Sequence, residues 1–504
     1  MSTLLIAGLR GVPMALALDG RSLTLASAVK VAEKGAPVKV SSASLKRMQK
    51  FRALLERKLG RGEVVYGVNT GFGSLADKAV RLGNLKELQL NLVRSHAAGV
   101  GAPMPIEVVR AAMLIRLNSL LNGNSAVRPA LAELLAEMLN KAVTPYVPQF
   151  GSLGASGDLV PSAHLALTMI GEGKAYRREE LMESRRALAA SKLKQVVLHA
   201  KEGLAMINGT AFTAALGCLS VHRGSALLEA GNSAASLTAE VTGACSQSFD
   251  ERLTELKAHA GQAYVARRLR NLLKDSQRLR EEPVPQDPYS IRCVPQVHGS
   301  LKDALTFSEK VVVGEMNSVS DNPVLLEDGS FMHGGNFHAQ PVAMVLDFLS
   351  LAVSYLGVIS LARTGVLLSR TPPETKYMAA KPGLESGLMI LQYTATSLAA
   401  ENAKLVYPQS SYPASVSGGI EDHASHGVNA GMKALSVAEN VSLMLAIELI
   451  CASNILGTDE TGISKHSVEL CKTVRLSSPL LRGDRSQGDE IEALARATIS
   501  GRVP

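Results

Sequence analysis

The chain has 504 residues, 46% hydrophobic and 19% charged, which excludes a disordered chain too polar to offset its ordering entropy. Gly at 43 and Pro at 21 are ordinary and no heptad runs through the sequence, so collagen-like and coiled-coil classes are excluded as well. Lys and Arg number 53 against 45 Asp and Glu, a net charge of +8; with 4% aromatics and no Trp, the chain lacks the basic and aromatic clustering of a nucleic-acid binder.

A prior of ~150 residues per domain allows about three domains, and a chain of this size buries roughly three quarters of its unfolded surface without disulfide or metal staples. Met1 to Leu5 show no basic region ahead of a short apolar patch, which does not fit a signal peptide. Residues up to about 60 mix short strand-like pieces with helical spacing over 23–33 and 42–59, the second opened by a Ser-rich cap. Val64 to Phe72 reads as a strand entering the glycine-rich loop at Gly71 and Gly73. It lacks the spacing and the Lys-Ser/Thr of a phosphate loop. Helical patterns follow over 85–98, 106–122 and 130–142, then a loop rich in Pro, Gly and Ser over 144–158.

Beyond about residue 210 the pattern becomes long apolar helices, over 211–230, 302–317, 336–369, 387–403 and 427–453. The expected fold is therefore mainly α, with an N-terminal domain over 1–210 and a C-terminal bundle of long, near-parallel helices over 211–504. The apolar run from Phe348 to Ala362 is 15 residues, short of the ~20 a membrane span needs, and reads as a buried helix. Arg267, Arg268 and Arg270, followed by Lys274, Arg278 and Arg280, read as a solvated helix face balanced by Asp275, Glu281 and Glu282. Cys218, Cys245, Cys293, Cys451 and Cys471 are scattered without CxxC spacing, which reads as reduced cytoplasmic thiols. The 11 His show no HExxH or comparable spacing, so no metal is expected; His423 and His426 read as structural.

The most informative stretch is Gly151-Ser152-Leu153-Gly154-Ala155-Ser156-Gly157-Asp158-Leu159-Val160-Pro161, in which Asp158 is placed to cap a helix starting near Leu159. It resembles the signature of the histidine and aromatic amino-acid ammonia-lyases. In that family the tripeptide cyclises to 4-methylideneimidazol-5-one (MIO). The amide nitrogen of Gly157 attacks the carbonyl of Ala155, and Ser156 loses its hydroxyl as water, leaving an electrophilic methylidene without any external cofactor. The resemblance extends over almost the whole chain, through Tyr66 to Gly73, Ile207 to Thr210, Gln286 to Gln296, Gly334 to His338 and Glu421 to His423.

The resemblance implies elimination of ammonia from an α-amino acid, with Tyr66 as acid/base and Asn208 on the ring or the substrate amine. It further implies Tyr289 and Gln286 around the ring, Arg292 as a bidentate grip on the substrate carboxylate, and Phe337 lining the pocket. Arg94-Ser95-His96-Ala97-Ala98-Gly99 is similar to the histidine-lyase form, where tyrosine lyases tend to carry His-Leu and phenylalanine lyases Phe-Leu. Glu421 stands where phenylalanine lyases usually have Gln. Both positions point to L-histidine as substrate and urocanate as product. Ile420 stands where a polar Gln or Asn is usual, and Ala211 where histidine lyases commonly have Gln; a different aromatic amino acid and an aminomutase remain alternatives. A non-catalytic scaffold is disfavoured by the intact Ala155-Ser156-Gly157, Tyr66 and Arg292. The resemblance also implies a cytoplasmic homotetramer whose active sites are each assembled from three subunits, with no nucleic-acid or membrane partner.

Overall fold

The computed structural model describes residues 15–75 and 77–504; the segment bearing on a signal peptide, Met1 to Leu5, lies outside them. The chain divides into two compact units. One comprises the chain up to Leu219 with Lys310–Met344 and Gln409–Ala430; the other comprises Ser220–Glu309, Val345–Pro408 and Gly431–Pro504.

The first unit holds helices α1 (Leu25–Lys34), α2 (Ser42–Gly60), α3 (Leu85–His96), α4 (Ile106–Leu120), α5 (Pro129–Asn140), α6 (Leu159–Met169), α7 (Ser184–Ala190) and α8 (Glu202–Ile207). Its strands are short: β1 (Leu16–Leu18), β2 (Val38–Val40), β3 (Val100–Pro103), β4 (Val143–Pro145), β5 (Pro148–Phe150), β6 (Lys174–Arg177), β7 (Glu180–Glu183), β8 (Val324–Leu325) and β9 (Phe331–Met332). They form a parallel pair β1-β2, antiparallel pairs β3-β5 and β8-β9, and a three-stranded antiparallel sheet β4-β6-β7. Ser41 caps α2 through the Ser44 amide, as the Ser-rich signal predicts, and Thr24 caps α1 in a reciprocal box with Ser27, which the sequence reading did not name. Helix α4 is the core of this unit, buried at every residue from Val108 to Leu120. Its polar members are satisfied by the backbone: Arg110 donates to the carbonyls of Val31, Ala32 and Leu139, at the ends of α1 and α5, and Asn118 donates to that of Met316.

The second unit is built from parts of α9 (Ala211–Thr242), α13 (Val294–Met316), α14 (Gln340–Ser369) and α16 (Gly427–Leu456). It also contains α10 (Glu251–Glu255), α11 (Ala260–Leu272), α12 (Tyr289–Arg292), α15 (Met389–Leu405), α17 (Lys465–Ser477) and α18 (Gly488–Ile499). Helices α14 and α16 are each 30 residues and long and apolar enough to cross a membrane by length and composition, yet 67% and 78% of their most apolar windows lie buried in the protein. They carry a fully buried ion pair, Arg363 with Glu448, which suits a protein core.

Several expectations are corrected. Val64 to Phe72 is not a strand. The Asn69 side chain accepts from Val65 N (2.7 Å) and donates to Glu63 O (2.9 Å), while the amides of Val68 and Asn69 return to Val65 O, and this folds the segment into a turn. The loop over 144–158 contains β4 and β5, whose partners are far along the chain. Helix α9 runs past Gly231, which sits mid-helix because a Cβ there would meet Leu356 Cδ1 at 2.8 Å; close packing, not helix termination, demands this glycine. Helix α14 begins at Gln340, after a turn at Asn336 and Phe337. The basic stretch is paired, but chiefly with other carboxylates: Arg268 with Glu229, Arg270 with Glu251, Arg278 with Asp459 and Arg280 with Asp287.

Candidate active site

The first unit encloses a cavity of 650 Å³ whose lining includes Tyr66, His96, Ala155, Ser156, Asn208, Phe337 and Glu421. Seven residues proposed from sequence, spread over more than 350 positions, therefore converge on one site. The eighth in this unit, Gly157, follows Ser156 in the chain and is buried.

The tripeptide loop is fixed on both sides. Gly154 adopts φ 79° and its carbonyl accepts from Ser425 N (3.3 Å) and Ser425 Oγ (3.2 Å). Gly157 also adopts φ 79°, and a Cβ there would meet Gly209 O at 2.4 Å, so glycine is demanded by both conformation and space. Asp158 N donates to that same carbonyl at 2.7 Å. Asn208 Nδ2 donates to Ser156 O at 2.9 Å, while its Oδ1 is buried with no hydrogen-bond partner. Ser156 Oγ donates to Glu421 Oε1 at 2.9 Å. A side-chain-free Gly157 beside a serine held by its hydroxyl and its carbonyl fits the cyclised group. These contacts pin the loop backbone on both sides of the tripeptide, and the orphaned Asn208 oxygen leaves an acceptor for a further donor.

Asp158 departs from its expected role. It stands at the N-terminus of α6 but makes no side-chain cap. Its carboxylate instead accepts from Thr213 N (2.8 Å) and Thr213 Oγ1 (2.7 Å). Full burial pushes this carboxyl up to about 6, against the pull of the Thr213 bonds and the Arg116 guanidinium. Arg116 and the Lys201–Asp321 ion pair (2.8 Å) are buried in the same unit. The Thr210 hydroxyl donates to Glu315, whose carboxyl burial also raises. Sequence reading missed this buried charge, because a lone Arg, Lys or Asp inside a helical pattern carries no mark of its partner.

Tyr66 accepts from Gly73 N at 3.1 Å and packs edge-on against His333, ring centroids 5.9 Å apart. His96 ends α3. Its Nδ1 lies 2.8 Å from Leu92 O and 3.1 Å from Ser95 Oγ. Burial lowers its pKa, with the Leu92 carbonyl and the Glu421 charge opposing, so the ring is neutral near pH 7. A carbonyl only accepts, so Nδ1 carries the proton and Nε2 is left as an acceptor. His423 stacks on His338 at 5.4 Å, both at the cavity, and His426 packs edge-on to Tyr412. His333, which sequence reading passed over, immediately precedes the quoted Gly334-Gly335 motif. Its position beside Gly-Gly is the only signal that could have found it.

Gln286, Tyr289 and Arg292 belong to the second unit. Arg292 Nη1 donates to Gln286 Oε1 at 2.7 Å, and its guanidinium lies 4.5 Å from the Tyr289 ring centroid. The three form one exposed group, Tyr289 being 70% exposed.

Residues 23–475 match the model of the aromatic amino acid lyase family. The chain belongs to that family. It is 42% identical over 446 residues to a histidine ammonia-lyase from Caldanaerobacter subterraneus subsp. tengcongensis, covering 87% of each chain. Its structure matches a histidine ammonia-lyase from Trypanosoma cruzi with a TM-score of 0.90 at 34% identity, covering 97% of this chain and 94% of that one. It matches a tyrosine aminomutase from Streptomyces globisporus with a TM-score of 0.91 at 33% identity, covering 97% and 98%. Membership in this family makes the cavity the place to look for carbon–nitrogen lyase chemistry.

Proposed function

We propose that this protein is an ammonia-lyase that converts L-histidine to trans-urocanate in a cavity built around Ala155, Ser156 and Gly157. The observation that carries the substrate is the pairing at one cavity of two acceptors, His96 Nε2 and the Glu421 carboxylate. The N–H of a neutral imidazole donates to one of them, and a protonated ring donates to both, whereas a phenyl ring leaves both half-buried acceptors unpaired.

The tripeptide, once cyclised to the MIO, supplies an electrophile that activates the amine as a leaving group. Tyr66, oriented by the Gly73 amide, takes the β-proton. Asn208 offers an unpaired Oδ1 to the substrate amine. Phe337 closes the apolar wall with Leu204 and Ile207. Arg292, held in a fixed plane by Gln286 and Tyr289, grips the substrate carboxylate. The family resemblance implies active sites assembled from several copies in a cytoplasmic homotetramer, and the exposed Gln286–Tyr289–Arg292 group is assigned to such an assembled site.

Ile420 lines the same cavity beside Glu421. This apolar residue supports the second reading, a lyase or aminomutase acting on another aromatic amino acid. Ammonia release and product ultraviolet spectra with L-histidine, L-phenylalanine and L-tyrosine decide between them. Preferential formation of urocanate is the expected outcome; preference for either of the other two, or a β-amino acid product, establishes the second reading.

A further inference from the structure

The second unit contains a buried polar network that the proposed chemistry does not use. Arg363 and Glu448 are both fully buried and face each other in a fork, Nε to Oε1 at 2.6 Å and Nη2 to Oε2 at 2.8 Å. Glu448 also accepts from Thr238 Oγ1 (2.8 Å) and Ser360 Oγ (2.7 Å), which occupies its oxygens from α9 and α14. The remaining Arg363 nitrogen, Nη1, points away from Glu448 and reaches His298 Nε2 at 3.4 Å and the Ser290 carbonyl at 3.5 Å. His298 is fully buried, and burial followed by the Arg363 charge holds its pKa well below the usual value. Its ring is therefore neutral, with Nε2 accepting from Arg363 and Nδ1–H donating to Asn232 Oδ1 at 2.8 Å.

The direction of Nη1 is informative. A buried ion pair adds little net stability over an apolar replacement, but a planar guanidinium fixed on both edges is a rigid donor. Ser290 lies in α12, a helix of four residues in which the amides of Ile291 and Arg292 return to Pro288 O and that of the following Cys293 to Tyr289 O and Ile291 O. So short a helix has almost no stability of its own. Tyr289 and Arg292 flank the tethered carbonyl, one residue before it and two after.

We propose that Arg363, braced by Glu448 and His298, is a positioning residue that anchors α12 and so fixes the orientation of Arg292 and Tyr289 for substrate binding. This rests on the reading of Arg292 as the carboxylate clamp. A clamp acts on substrate and transition state alike, so loosening it raises KM more than it lowers kcat.

The test compares Arg363→Lys, Arg292→Lys and the double variant in the full-length protein. Lysine keeps the charge for Glu448 but not the fork that reaches Ser290. Arg363→Lys is expected to raise KM for L-histidine about tenfold with kcat within about threefold. Amides of Ile291 to Cys293 should exchange at least about tenfold faster, and the near-ultraviolet absorbance of the cyclised tripeptide should be unchanged. In the Arg292→Lys background the extra KM penalty should shrink to under about twofold, because both changes act through one group. Should Arg363→Lys not fold, His298→Leu removes one support of Nη1 and is read the same way. Unchanged KM and exchange in a folded variant, or a KM penalty that adds in full to that of Arg292→Lys, overturns the inference. An Arg292→Lys enzyme with unaltered KM overturns the clamp reading itself, and the anchor role with it.

Discussion

At Ser156 the hydroxyl that donates to Glu421 is the group that the proposed cyclisation would remove. Replacing Ser156 by Ala takes away that leaving group while deleting a single oxygen. Turnover and the cyclised group's contribution to near-ultraviolet absorbance should vanish with far-ultraviolet circular dichroism unchanged; substantial residual turnover would sink the MIO mechanism. Glu421→Gln keeps the shape but replaces an ionised acceptor by a weaker one. A hydrogen bond to a charged group contributes about 1.5–3 kcal/mol, so kcat/KM for histidine should fall roughly 10- to 100-fold, and any phenylalanine turnover much less. Equal losses on both substrates would remove Glu421 from specificity. His96 adds a pH dependence. Its pKa is lowered by burial from 6.5, so it stays neutral at pH 7 and protonates only at more acidic pH. Protonation turns Nε2 from acceptor to donor and opposes an imidazole N–H. Activity on histidine should therefore fall as pH drops below 6.5, and the part of that limb due to His96 should be missing in His96→Asn, which accepts without titrating.

Among the elements, the turn at Tyr66 to Asn69 shows how one side chain overrides propensity. Val64, Val65, Tyr66 and Val68 read as strand formers. Asn69 instead satisfies Val65 N and Glu63 O, and by doing so presents Tyr66 to the cavity. Asn69→Ala leaves both backbone groups without that partner, and urea unfolding should show a loss of about 1–3 kcal/mol, with kcat reduced because Tyr66 is displaced. The helices were legible because their signals are local: the Ser-rich cap of α2 and the apolar periodicity in α2, α3 and α5. Strands β3, β4 and β5 were not, because they are three or four residues long and pair with partners elsewhere in the chain, and β6 and β7, though a local hairpin, are only four residues each.

At the scale of the molecule, α14 carries exposed Phe348, Leu351, Tyr355 and Val358 at spacings of three and four. Such a seam is the pattern of a helix that packs on another helix. It supports the proposed homo-oligomer. Leu351→Glu combined with Tyr355→Glu should move the mass in light scattering from tetramer toward smaller species. Since the proposed sites draw on several copies, activity should fall with the mass; a tetramer that survives both changes would place the interface elsewhere.

Family and chemistry were legible in the sequence because the segment from Gly151 to Pro161 and its companion motifs are contiguous, and contiguous residues carry their own constraint. So were the long helices, whose apolar repeats run for 30 residues in α14 and α16. Tertiary structure alone brought Ser156 to within 2.9 Å of Glu421 across 265 residues of chain. It also returned Lys310–Met344 and Gln409–Ala430 to the first unit, where a reading along the chain sees only one change near residue 210. Buried pairs such as Arg363–Glu448 and Lys201–Asp321 were likewise invisible beforehand. The reason is physical: hydrogen bonds, ion pairs and cavities depend on distances in space. Periodicity and motif spacing report only what neighbours along the chain require of one another.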